Sequence, residues 1–197
     1  YYSDVIYFAP GPPSRPHAFG AFDINRRSYA WILDTSEFQA TWYSFPALKG
    51  DWLYFSTAAY RGSFWSFDYY AFRRKTGELI WRQSDLSDWG PMRLVETQNL
   101  FSQNMKLLDY LAPSLWRDLV IYTSGDTVVR AFHARSGRLA WRRSFDLPTS
   151  SAPTVAGNRL YFGLEGDELY QLGGLEGGEG LPGERPGRKP RLVCLAT

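Results

Sequence analysis

The sequence contains one cysteine, Cys194, and two histidines, His17 and His133, in 197 residues. A lone cysteine excludes an internal disulfide and a cysteine-rich metal site, and leaves the redox compartment unread. Two isolated histidines, one in a proline-rich stretch and one at a hairpin position, make neither a zinc site nor a catalytic triad. No run approaches the roughly 18 consecutive apolar residues of a membrane span. The first residues, YYSDVIYF, carry no basic region of a secretion signal and no initiating Met, so a processed or excised form, or part of something longer, is expected. Charge of one sign is also lacking: 22 basic residues against 20 acidic leave +2. With that charge scattered along the chain, neither nucleic acid nor an anionic membrane is an expected partner. The basic doublets Arg26-Arg27, Arg73-Arg74 and Arg142-Arg143 read as solvated strand ends and turns. The glycine-rich run over 173–180 has no lysine and no strand-to-helix setting, so it is no phosphate loop. The carboxylate pairs Glu165 with Asp167 and Asp85 with Asp88 fall in turn-like sequence, where such residues are routine.

Aromatics, by contrast, are plentiful. Eight Trp, thirteen Tyr and thirteen Phe favour strands that pack large rings between sheets, so the fold class reads as all-β.

The chain also repeats. GAFDINRRSYAW (20–31), YAFRRKTGELIW (70–81) and RAFHARSGRLAW (130–141) align without gaps. They place Ala21, Ala71 and Ala131 in one column, Phe22, Phe72 and Phe132 in the next, and Trp31, Trp81 and Trp141 at the end. Gly77 and Gly137 stand where a tight hairpin needs positive φ. The first repeat has Arg27 there, so its turn must use another geometry or tolerate a less favoured one. Upstream of each hairpin lies an aromatic strand, VIYFA (5–9), WLYFST (52–57), LVIYTS (119–124) or RLYFGL (159–164). Three of these follow a proline-containing lead at Pro46, Pro113 and Pro153, where a missing amide proton costs least. In the fourth repeat GDELYQLG (166–173) matches GDTVVRAF (125–132), and RLVC (191–194) matches RLAW (138–141), which puts Cys194 in the tryptophan column. The closing positions 31, 81, 141 and 194 are then spaced as propeller blades are, not as ankyrin or tetratricopeptide repeats.

This string resembles the pyrroloquinoline-quinone-like (quinoprotein) propeller repeat, with KTGELIW (75–81) and RSGRLAW (135–141) as the closest matches. The resemblance implies a β-propeller arc of four antiparallel blades, about half of a seven- or eight-bladed ring or a segment of a longer chain. The blades lie at approximately 1–31, 45–81, 112–141 and 152–195. It also implies that Trp31, Trp81 and Trp141 close blade against blade. Dehydrogenases of that family hold the quinone against disulfide-bonded cysteines, over a Trp floor, beside acidic and amide calcium ligands. This chain has no cysteine pair, and its tryptophans match closing positions.

Two segments fall outside the repeat. In an insertion over 85–111, Leu94, Phe101, Met105 and Leu108 share one face of a short amphipathic helix, either a lid on the propeller's own edge or a docking element. The segment AAYRGSFWSFDYY (58–70) carries Phe64, Trp65 and Phe67, read as an aromatic binding tip or as an extended hairpin with one face buried. The Gly/Pro-rich stretch 173–190 reads as a long hairpin loop.

The expected role is a non-catalytic structural or protein-interaction subunit. The alternatives are part of a quinone- and calcium-dependent dehydrogenase, or a carbohydrate-binding or sensor module. No cofactor is expected of this chain alone. Expected partners are proteins or further blades, a homodimer included, because an open arc leaves two terminal faces uncovered. An extracytoplasmic location is implied by the resemblance only.

Overall fold

The computed structural model describes residues 5–8, 18–34, 42–60, 65–86, 111–147, 149, 151–164 and 189–196, and the regular structure among them is all strand. Four antiparallel sheets follow one another along the chain. The first is β1 (Val5–Phe8), β2 (Ala18–Asp23) and β3 (Ser28–Asp34). The second has β4 (Trp42–Tyr43) and β5 (Ala47–Lys49) together on one edge, then β6 (Trp52–Tyr60), β7 (Trp65–Arg73) and β8 (Leu79–Leu86). The third is β9 (Ser114–Trp116), β10 (Leu119–Thr123), β11 (Val128–His133) and β12 (Leu139–Ser144). The fourth is β13 (Thr154–Ala156), β14 (Arg159–Leu164) and β15 (Arg191–Ala196). The chain is an all-β propeller arc.

Each sheet follows from its sequence. The proline leads end in the short edge strands β5, β9 and β13, the aromatic runs form β6, β10 and β14, and the Ala-Phe strands β7 and β11 pair with β6 and β10. The alanine column faces the tryptophan column, Ala21 with Trp31, Ala71 with Trp81 and Ala131 with Trp141. The register then slips by one residue after each of these alanines. Such a bulge increases local twist and re-aims a side chain. Trp81 accordingly joins the cluster against the third sheet, while the neighbouring Phe72 joins the cluster against the first.

The tight turns behave as their residues require. Gly77 and Gly137 adopt φ +72 and +69, and Arg27 adopts the same left-handed conformation at φ +52. The backbone N–H groups of Gly77 and Gly137 donate to the carbonyls of Arg73 and His133, each at 2.8 Å.

One register departs from the sequence alignment. β15 pairs directly with β14, the place held by the Ala-Phe strand elsewhere, and Cys194 lies opposite Tyr161. In the other sheets the corresponding partners are Tyr7 with Ala21, Tyr54 with Ala71 and Ile121 with Ala131. Cys194 therefore belongs to the small-residue alanine column, not to the tryptophan column. The RLAW-like spelling of RLVC misled because both strands alternate apolar residues.

Between sheets lie three apolar clusters, each built from two consecutive sheets: Phe19, Leu53, Phe55 and Phe72; Tyr54, Tyr69, Val120 and Phe132; Ile121, Val129, Leu160 and Phe162. Nearest neighbours thus supply the burial, at roughly 2–3 kcal/mol for each large side chain removed from water.

Candidate interaction surfaces

Two rows of hydrogen bonds cross the seams, the first from blade one to two and from two to three, the second from two to three and from three to four. Trp31 Nε1 donates to the carbonyl of Arg74 at 2.9 Å, and Trp81 Nε1 donates to that of Ala134 at 2.8 Å. These acceptors occupy the same place in successive turns. Each indole also lies flat over the glycine of that turn: a Cβ on Gly77 would stand 2.7 Å from Trp31, and one on Gly137 would stand 2.6 Å from Trp81. Glycine is needed here twice over, for its φ and for the ring above it. The second row runs through the inner hairpins. Lys49 Nζ donates to the carbonyl of Arg117, and Trp116 Nε1 donates to that of Gly157 at 3.2 Å. Arg117 and Gly157 both hold positive φ, at +52 and +59. In the corresponding place of the fourth blade stands Ala156, which has no side-chain donor. Trp141 is partly buried against the cluster between the third and fourth blades.

A polar knot fills one end of the seam between blades two and three. Arg130, wholly buried, donates to Asp126 at 2.8 Å and to Asp85 at 2.6 Å, with the rings of Phe67 and Tyr69 alongside. Asp126 also accepts the backbone N–H of Val128 at 3.1 Å. Burial raises the Asp126 carboxyl above its ordinary range, against the pull of Arg130. The Tyr69 hydroxyl and Ser124 share a hydrogen bond of 2.8 Å across the seam, and burial holds the Tyr69 proton on well beyond the usual tyrosine range. Beside them Ser44, Ser56, Thr57, Thr123 and Ser124 line a niche of about 10 Å³. That is room for about one water molecule. Arg130 bonds one carboxylate from its own blade and one from blade two, so the knot works as a fastener across the seam.

Of the features by which dehydrogenases of that family hold quinone and calcium, a pair of cysteines is absent from this sequence. Among the described residues no three His, Cys, Asp or Glu side chains gather as metal ligands. Cys194 lies exposed, and Trp31 and Trp81 are committed to seams.

The two ends of the arc are different. Ile6 on the outward face of blade one is 46% exposed, whereas its counterparts Leu53 and Val120 are at 0%. On the far face of blade four Leu192 is 78% exposed and Cys194 is open, where Ala71 and Ala131 are wholly buried.

Of the residues singled out from sequence, Phe67 requires correction: it is 3% exposed and packs in the cluster between blades two and three. Strand alternation in β7 turns Phe67, Tyr69 and Ala71 to the third sheet, so the buried-hairpin alternative describes it. Leu94, Phe101, Met105, Leu108 and Phe64 lie outside the described residues, as does the side chain of Trp65. Sequence reasoning missed the knot. Its signal was an arginine, Arg130, in the column that holds Gly20 and Tyr70, with Asp126 four residues before it.

No curated protein matches the sequence. A PQQ-like repeat family model described as outer membrane protein assembly factor BamB matches residues 69–179, more than half of the chain. Among solved structures, the quinohemoprotein alcohol dehydrogenase of Comamonas testosteroni is 14% identical with a TM-score of 0.52, over 82% of this chain and 28% of its own. The computationally designed protein Ika8 is 9% identical at TM-score 0.52, over 83% of this chain and 41% of its own. The designed protein Ika4 is 10% identical at TM-score 0.52, over 83% of this chain and 81% of its own. At these identities the likeness is one of fold. The chain spans well under half of the length of Ika8 and of the dehydrogenase.

Proposed function

Because the chain belongs to the PQQ-like repeat family, we propose that it serves as a non-catalytic propeller unit, a structural or protein-interaction subunit of a larger extracytoplasmic assembly. The observation that carries this reading is the pair of end faces. Positions that are wholly buried within the arc recur at its ends as open surface, with Ile6 on one side and Leu192 on the other. Surface of that kind is normally covered by a neighbour. Protein partners or further blades supply the cover, and the match to an outer membrane protein assembly factor family supports a protein-binding role. No helix among the described residues is long and apolar enough to cross a membrane.

Native mass spectrometry with subunit identification tests the proposal. The expected result is a particle larger than the 22.6 kDa chain, containing other proteins, further blades or a second copy. A lone monomer overturns it, as does quinone-dependent dye reduction by the purified chain.

A further inference from the structure

The hairpin turns at one end of the sheets form a row, because Trp31, Trp81, Lys49 and Trp116 donate from strands beside them to carbonyls in the next blade's turns. That row gathers charge which the sequence scatters. Blade one contributes Arg26 and Arg27 against Asp23. Blade two contributes Lys49, Arg73, Arg74 and Lys75 against Asp51 and Glu78. Blade three contributes Arg117, Arg135 and Arg138 against Asp118, and blade four adds Arg159. Among the described residues ten basic side chains therefore stand with four acidic ones on this rim, in a chain whose total is only +2. Three of the four acids are already engaged, Asp23 by Arg26, Asp51 by Arg73 and Asp118 by His133. Beside the turns, Tyr29, Leu79 and Leu139 occupy one repeat position and are all about half exposed.

We propose that this rim binds an acidic polypeptide segment lying across the turns from blade to blade. The surface is distinct from the end faces, and the proposal goes beyond the subunit reading. Packed sheets stand about 10 Å apart and an extended chain advances about 3.3 Å per residue, so one carboxylate in every three residues meets one basic turn after another. The half-exposed Tyr29, Leu79 and Leu139 give the intervening side chains apolar footing. Duplex nucleic acid fits less well, because it carries a charge about every 1.7 Å and would meet the rim's own carboxylates. A bilayer also fits less well, because these three side chains lie along strands and do not project from the turns.

The test is fluorescence anisotropy with labelled poly-L-glutamate on the full chain, at about 0.15 M salt, where exposed charges are screened beyond about 8 Å. Arg117→Glu with Arg135→Glu should weaken binding at least tenfold. Arg142→Glu with Arg143→Glu, an equal charge change away from the rim, should alter it less than twofold. Arg27→Glu with Lys75→Glu is a second rim pair that reads the same way if the first pair impairs folding by circular dichroism. Equal losses from rim and control pairs overturn the proposal. So does an absence of binding, or tighter binding to duplex DNA or to phosphatidylglycerol vesicles than to poly-L-glutamate.

Discussion

At the scale of single residues, the turn position shared by Arg27, Gly77 and Gly137 separates two requirements that glycine usually meets together. All three residues are left-handed, but only the two glycines lie under an indole. Gly137→Ala should therefore cost about 2–4 kcal/mol, from the left-handed backbone and from overpacking against Trp81. Arg27→Gly should stay within about 1 kcal/mol of the parent, since relief of the left-handed backbone is offset by glycine's larger unfolded entropy. Urea unfolding of the two variants measures both, and similar losses in each would mean that the ring above Gly137 is energetically irrelevant. The glycines were legible in the sequence as turn residues. Their second role was not, because no spacing along the chain announces that a ring from the preceding repeat will lie on top.

At the scale of the element, the sheets are joined by fasteners of unequal strength. Trp81→Ala removes a buried indole and its hydrogen bond to Ala134, and should cost about 3–5 kcal/mol. Trp141 is only partly buried, and its replacement by alanine should cost less than about half as much. Chemical denaturation of the pair compares them directly. The Arg130 knot makes a different prediction. Asp126→Ala leaves the wholly buried guanidinium with Asp85 as its remaining carboxylate and should destabilise by about 2–4 kcal/mol, whereas Arg130→Met combined with Asp126→Leu should recover part of that loss. Strand order and the Ala-to-Trp pairing were readable because aromatic runs, proline leads and hairpin glycines each act locally. The placement of β15 was not, since a short apolar strand such as RLVC satisfies two registers equally until β14 selects one. The knot escaped for a related reason: Asp85 is 45 residues away from Arg130 and meets it only when sheets stack.

At the scale of the whole molecule, the seams should set the alkaline limit of stability. Burial pushes the Tyr54 hydroxyl up to about 12, and it drives those of Tyr69, Tyr70 and Tyr122 higher still. In the unfolded chain tyrosines titrate near about 10. Above that pH the unfolded state has released protons that the folded state retains, so this contribution to stability is intact below about pH 10 and is lost as pH rises toward the folded values. Ultraviolet titration should show these tyrosinates appearing together with loss of β circular dichroism. Their ionisation in a chain that keeps its folded spectrum would contradict the packing of the seams.

The glycine-and-indole seam also bears on how such a chain can lengthen. Trp31 meets the second blade as Trp81 meets the third, so a tandem copy of blade two spliced in behind the original would offer its own glycine backward and its own indole forward. Growth by internal duplication is thus tolerated in the middle of the array. Blade one presents Arg27 at the position of those glycines, so a neighbour on that side would meet a side chain where the later turns offer bare backbone.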